Sequence, residues 1–372
     1  MGKNIHAAPF DEGTQIKLYI LQMYLKEWFP VFIAKKELHW GKIFIYDFFC
    51  GPGKDINGRY GSPLIIMKEL SEYCTIIRER RLVVNVHFND MESEKMQGLI
   101  NNIDEFMKES CDFACASDCA LSITYSNDDF ESLFMEKYPE MKRYSENPHF
   151  LFLDQNGIKF VTDDVFRKIT SLVRCDFMFF ISSSYLWRFA DVSEFQRYLK
   201  ISGEVFDGQD FFHCHRVVFN YYKKLLSDCG GYFLAPFSIK KGGNIYGLIF
   251  GSRNMLGIEK FLKIGWGLNG QTGDANFDID DEKINPRMPS LFEEMNRSTK
   301  LKEFENALVI DIKSGRLRTN KDVYLFAFDR GCLPKHANEV LRKMIKNGDL
   351  EKDIHMSANN VHNLPKSEIR LK

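Results

Sequence analysis

An excess of charge of either sign is what this sequence most plainly lacks: 50 lysines and arginines face 51 aspartates and glutamates, a formal net of −1. Such a chain is not a general polyanion binder, so any nucleic-acid affinity must be local. Also missing is an apolar run approaching the ~20 residues that cross a bilayer. There is no basic-then-apolar start of the secretory kind, no low-complexity tract and no convincing repeat. Nine cysteines, an odd number scattered through apolar segments, suit a reduced compartment better than a disulfide framework. The expectation is a soluble cytoplasmic protein of two or three domains.

What is present is strong periodicity. Ile16, Tyr19, Ile20, Met23 and Tyr24 recur three and four apart after Thr14, which predicts an amphipathic helix capped near that threonine. Apolar runs at Lys42–Phe48, Leu82–Asn89, Leu121–Tyr125, Phe150–Asp154 and Asp176–Ser182 read as strands. Helix-forming stretches at Pro63–Glu79, Glu92–Glu109, Asp129–Lys137 and Asp163–Val173 separate them. Continuous apolar strands alternating with helices predict an α/β doubly wound, mostly parallel sheet covered on both faces. Tyr232–Ile239 and Asn244–Gly251, joined by "KKGG", predict an antiparallel hairpin at its end.

Between strand and helix the run "KIFIYDFFCGPGKD" breaks sharply. Gly51 and Gly53 let the backbone turn tightly and approach a ligand, and Asp47 just before them can accept from a ligand amine or hydroxyl. The pattern is not G-x-x-x-x-G-K-[ST], which disfavours a P-loop, and it lacks the third glycine of a dinucleotide turn. Asp90, at the end of the next strand, sits where such folds present an acid to ribose hydroxyls. Asp154 and Asn156, in "FLFLDQNG", lie at the carboxyl edge of the fourth strand, where an acid and an amide can orient or deprotonate an acceptor.

The D-x-F-x-G-x-G arrangement resembles the first motif of S-adenosylmethionine-dependent methyltransferases. That likeness implies that Asp47, Gly51, Gly53 and Asp90 hold the cofactor and that Asp129 and Phe130 face its adenine; Asp129 also reads as a helix cap. With "GSPLI", "FLDQNG", "NIYGLIFGS" and a helical tail, the chain as a whole resembles the three-Cys-motif partner family. The resemblance implies a Rossmann-like methyltransferase domain, a C-terminal winged helix and a three-cysteine-motif partner protein. One departure stands out: that family shows Asp-Pro-aromatic-Gly where this chain has Asp154-Gln155-Asn156-Gly157.

Two clusters invite metal readings. Cys111, Cys115 and Cys119 are spaced four apart, which makes a stripe on a helix rather than a cluster-binding loop. His213 and His215 would share one face of a strand, but two histidines are too few for zinc. Arg188 and Arg216 could line a polyanion groove beside the sheet. No metal site is expected from these.

From Lys300 to Lys372 there are 15 Lys or Arg and 10 Asp or Glu, a local net of +5 that leaves −6 for the rest. The segment regains helical periodicity. In its third helix Ala337, Val340, Leu341, Met344 and Ile345 form a core stripe, with Pro334 in the first turn and Gly348 past the end. Lys335, Arg342, Lys343 and Lys346 stay on or near the solvent side, as in a winged helix-turn-helix that meets nucleic acid; the basic density is low enough that a winged helix used as a protein contact is the alternative.

The combined reading is a Rossmann-like methyltransferase domain over 1–270, an irregular linker over 271–299 and a winged helix-turn-helix over 300–372. The expected function is S-adenosylmethionine-dependent methylation on or with nucleic acid, DNA or RNA, without membrane attachment. Two alternatives stand beside it: a non-catalytic binding protein on the same scaffold, and a metal-dependent enzyme or nuclease using Asp47, Asp90 and Asp154.

Overall fold

The computed structural model describes residues 8–110, 119–155, 157–226, 231–284, 288, 290–291, 293–351 and 354–372. The chain forms two compact units, Met1–Gly257 and Ile258–Lys372.

The first unit opens with helix α1, Glu12–Phe29. Its cap is Asp11, whose carboxylate accepts the Thr14 N–H at 2.9 Å, so Thr14 is inside the helix rather than capping it. The buried stripe also differs from the predicted one. Tyr19 is 45% exposed, whereas Lys17, Leu21, Tyr24, Leu25 and Trp28 face inward. The stripe is anchored by Tyr24, whose hydroxyl donates to Asp176 at 2.7 Å.

Strand β1, Lys42–Asp47, is followed by helices α2, Ser62–Ser71, and α3, Cys74–Glu79; the single helix expected over Pro63–Glu79 is thus two. Then come β2, Val83–Asn89, and α4, Ser93–Ser110. Next are β3, Leu121–Ser126, and α5, Phe130–Arg143. They are followed by β4, His149–Leu153, α6, Asp163–Thr170, and β5, Cys175–Ile181. Helices α7, Ser183–Phe189, and α8, Cys214–Leu225, lead to the hairpin β6, Phe233–Lys241, and β7, Asn244–Ser252. His213 and His215 therefore stand at the start of a helix, not on a strand, and the shared-face argument for them lapses.

The seven strands form one sheet in the order β3-β2-β1-β4-β5-β7-β6. The first five pair in parallel, in register from Lys42 opposite Val83 and from Phe44 opposite His149. Strand β7 runs antiparallel to both β5 and β6. This is a doubly wound, Rossmann-like sheet closed by an antiparallel hairpin. The order turns back between β1 and β4, so their carboxyl ends diverge into a crevice where open α/β sheets bind ligands. Helices on both faces explain why the middles of β1 and β4 are apolar: Ile43, Ile45, Phe150 and Leu151 are fully buried.

Helix α9, Met255–Leu268, carries the chain into the second unit. There the Gly- and Asp-rich stretch after it is pinned by Asn269, whose amide donates to Ala275 O at 2.9 Å, and by the Ser298 hydroxyl on Gln271 O at 2.7 Å. Helices α10, Thr299–Lys313, α11, Asn320–Asp329, and α12, Pro334–Lys346, follow, with a short α13 at Ala358–His362. A capping box between Thr319 and Asp322 starts α11. Ala337, Val340, Leu341 and Met344 are buried as their spacing predicts, while Ile345 is half-buried. The chain end returns as a wing: Thr319 pairs with Glu368, and Leu350 with Leu371.

Candidate functional site

The crevice holds a cavity of about 260 Å³, lined from α1, the turn after β1, and the carboxyl ends of β2, β3 and β4. Asp90, Asp129, Phe130 and Asp154 all reach it, so residues from three separate strand ends converge as expected from the motifs. Asp47, Gly51 and Gly53 do not line it; the adjoining Phe48, Phe49 and Cys50 do, with Gly61 and Ser62 opposite.

Asp47 lies directly behind that wall, fully buried. Its Oδ1 accepts a long 3.4 Å contact from the Phe49 N–H, the Ser62 hydroxyl lies close by, and its Oδ2 lacks a partner at hydrogen-bond distance and angle. Burial pushes its carboxyl up to about 7, the Ser62 hydroxyl pulls it back, and the nearby Asp154 raises it again. An orphaned carboxylate oxygen beside a cavity suits an ammonium or hydroxyl donor on a ligand.

The Gly-Pro-Gly turn is built for packing as well as approach. Gly51 and Gly53 have φ of 61° and 85°, a left-handed conformation in which side chains are strained. A Cβ on Gly53 would come within 2.8 Å of Leu99, and the Gly53 carbonyl accepts the Gly61 N–H at 2.7 Å. The Asp90 carboxylate takes the Gly51 N–H at 3.1 Å and the Glu92 N–H at 2.9 Å, so it binds the turn to the end of β2. Asn89, buried, ties the strand ends together. Its amide donates to Phe48 O and Asp128 O, and its oxygen accepts from Ser126 and the Asp128 N–H.

Asp129 is the N-cap of α5, accepting the Ser132 N–H at 3.1 Å, which holds its carboxyl below the usual range. Both readings of that residue therefore coexist, cap and cavity wall. Phe49, Phe130 and Phe160 meet with ring centroids 5.1–5.6 Å apart and planes tilted by 29–70°, giving the cavity one aromatic side. Cys50 also faces the cavity, but burial and the neighbouring Asp47 and Asp90 push its thiol well up, which keeps it protonated and inert.

Sequence reasoning missed Lys17. From α1 its ammonium forms an ion pair with Asp154 and lies 4.9 Å from the Phe180 ring centre. It also missed Phe160, which Gln155 positions by accepting the Phe160 N–H at 2.9 Å. The signal for Lys17 was present: at 17, 21, 24 and 28 a lysine continues the buried stripe. Asn156, Cys111 and Cys115 lie outside the described residues. Cys119 is exposed. Among the described residues no group of three His, Cys, Asp or Glu is arranged to hold a metal ion, so Asp47, Asp90 and Asp154 do not form a carboxylate metal site.

In the second unit Lys335, Arg342, Lys343 and Lys346 are all exposed on α12. Lys343 is engaged, its ammonium on Glu305 at 2.8 and 3.0 Å, and Glu305 also takes Arg297. Lys335, Arg342 and Lys346, spaced seven and four apart, share a face with Glu339.

Residues 278–354 match the GMT-like wHTH domain family. Among solved structures, Trm1 from Pyrococcus horikoshii, in complex with S-adenosyl-L-methionine, is similar at 12% identity over 68% of this chain, with a TM-score of 0.37. The match spans 59% of Trm1. An O-methyltransferase from Bacillus cereus in complex with SAH aligns at 11% identity over 66% of this chain and 91% of its own, TM-score 0.32. The METTL16 methyltransferase domain aligns at 8% identity over 63% of this chain and 83% of its own, TM-score 0.29. No curated protein matches the chain in sequence. Sheet order defines a doubly wound, Rossmann-like unit, and the family match marks a GMT-like winged helix-turn-helix segment after it. Among the described residues, no helix is long and apolar enough to cross a membrane.

Proposed function

We propose that the chain is an S-adenosylmethionine-dependent methyltransferase that acts on or with nucleic acid. The observation that carries this is the cavity at the carboxyl ends of β1 to β4, where Asp90, Phe130 and Asp154 line one space directly in front of the buried Asp47. The cofactor supplies an electrophilic methyl group when bound. Asp90, already fixed by two backbone N–H groups, would accept from its ribose hydroxyls. Gly51 and Gly53 would hold the turn close to it, and Phe130 with Asp129 would face its adenine. Asp47 would accept from its ammonium, which an ionised carboxylate favours.

Asp154 would face the acceptor with Asn156, oriented by its ion pair with Lys17, and take a proton from an amine or hydroxyl as the methyl arrives. The C-terminal winged helix would supply affinity for DNA or RNA through Lys335, Arg342, Lys343 and Lys346. We place the protein in the cytoplasm, and a three-cysteine-motif protein is the partner that the sequence resemblance suggests. A second reading is favoured by the same ion pair: with Asp154 neutralised by Lys17, the unit would bind the cofactor as a sensor without turnover.

The test is methyl transfer from isotopically labelled S-adenosylmethionine to total DNA and RNA, run beside a binding assay. Binding with transfer supports the enzyme, binding alone supports the sensor, and absence of binding overturns both.

A further inference from the structure

Phe160 lines a second cavity as well as the first. This one, about 370 Å³, opens between the loop after β4, the start of α6 and the segment around Arg197 to Lys200. Its wall carries Lys159, Arg197 and Lys200, all exposed, together with the ring of Tyr198. Lys159 lies 5.9 Å from the Tyr198 ring centre, and none of the three cations forms an ion pair among the described residues.

Two of the three carboxylates in the same wall are engaged, and the third, Glu131 at the start of α5, is exposed. Asp164 pairs with Lys168 at 2.5 Å, and Asp163 accepts the Tyr221 hydroxyl at 2.5 Å. Tyr221 in turn accepts the Lys200 N–H at 2.9 Å, which ties the segment bearing Arg197 and Lys200 to the first turn of α6. The fold thus fixes a set of uncommitted cations beside two aromatic rings, one of which also walls the first cavity.

Cations that follow a backbone, interleaved with rings on which bases stack, are the elements of single-strand recognition. A duplex would need a groove-filling helix or ribbon, which this concave wall does not offer. We propose that this second cavity receives a single-stranded segment of the acceptor nucleic acid, with a phosphate on Lys159, Arg197 and Lys200 and a base stacked towards Tyr198 and Phe160. This rests on the reading of the first cavity as the methyl-donor site, since Phe160 would then bring the stacked base next to the donor.

The experiment uses the full chain and a fluorescein-labelled oligodeoxythymidine of about 12 nucleotides, within the range one binding fold covers. Anisotropy is followed against salt for wild type, Arg197→Glu with Lys200→Glu, Tyr198→Ala, and the charge-conserving Arg197→Lys. The charge-reversed variant should bind roughly tenfold or more weakly, with a log–log salt slope flatter by about 1.4, the single-strand value for two phosphate contacts. Tyr198→Ala should lose several-fold, and Arg197→Lys should bind nearly as wild type. Because Arg197 and Lys200 are exposed, melting curves of the charge variants should stay unchanged.

Equal affinity and slope in wild type and the charge-reversed variant would overturn the proposal, as would failure of the wild type to bind the oligonucleotide. Calorimetry with S-adenosylmethionine on the same proteins separates the two readings. If the cofactor does not bind but the variants still lose the oligonucleotide, the methyl-donor reading fails and the strand site stands. If the cofactor binds and the variants keep the oligonucleotide, only the strand site fails.

Discussion

Lys17 and Asp154, 137 positions apart in sequence, form an ion pair at the edge of the crevice, with the lysine buried in the inward stripe of α1. The pair lines the cavity in front of Asp47, whose burial makes it reluctant to ionise, so three titratable groups are coupled at one cavity wall. Each can be tested alone.

Removing the cation should show the coupling. Lys17→Met leaves Asp154 partly buried without its partner, and loss of such a partner costs about 3 kcal/mol in stability. Asp47 should then titrate higher than in wild type, since Lys17 lowers its pKa. Carboxyl carbon shifts in an NMR titration measure this; an unchanged Asp47 midpoint would mean the pair acts only on Asp154.

Asp47 itself makes stability depend on pH. Its folded pKa is raised to about 7 from 3.8, so the folded state holds a proton that the unfolded state releases. Stability from this group is retained at low pH and lost as pH rises from about 4 through 7. Asp47→Asn abolishes that dependence, and relative to wild type it should gain of order 4 kcal/mol between pH 4 and pH 8, at 1.36 kcal/mol per unit. Urea denaturation of both proteins at the two pH values reads it directly. A gain independent of pH would show that the carboxyl does not titrate in this window.

At the turn, Gly53→Val should damage the fold before it touches a ligand. The φ of 85° disfavours a branched side chain and the Cβ presses on Leu99, so a loss of about 2–4 kcal/mol is expected. Asp90→Asn is the better probe of binding, because it keeps the shape and acceptor for the Gly51 N–H while removing charge. It should weaken S-adenosylmethionine by roughly tenfold, the loss of one charge-assisted hydrogen bond, with little change in melting temperature. A large drop in melting temperature would recast Asp90 as a structural clip.

On α12 the cations should not count equally. Arg342→Ala with Lys346→Ala should flatten the salt slope of duplex DNA binding by up to about two units. Lys343→Ala should change it less, because that ammonium is held by Glu305. If Lys343 proves dominant, its bond to Glu305 must open when nucleic acid binds.

Much of this architecture was legible in the sequence. Apolar runs of strand length marked five parallel strands to within a residue or two at either end, most plainly β1, β4 and β5, which are buried along most of their length, while edge strand β3 alternates with exposed Ser122 and Thr124. The hairpin and the α12 stripe were equally plain. The site was legible only where a motif named it. Asp90, Asp129, Phe130 and Asp154 converge because parallel strands deliver their carboxyl ends to one edge. Lys17 and Phe160 arrive from a covering helix and a loop, and no local pattern encodes which crevice those reach. Lys17 still left a trace, as a charge in an otherwise apolar stripe. The register of α1 misled because Tyr19 is as apolar in composition as Leu21, and only packing decides which faces inward.

The central claim is that the crevice at the ends of β1 to β4 binds S-adenosylmethionine, and calorimetric titration of the full chain tests it most directly. The account predicts saturable binding of the cofactor and of its demethylated product, with proton release near pH 6.5 as Asp47 ionises against the ligand ammonium, and with affinity reduced in Asp90→Asn. Absence of saturable heat with either compound, in a chain that melts cooperatively, would contradict it.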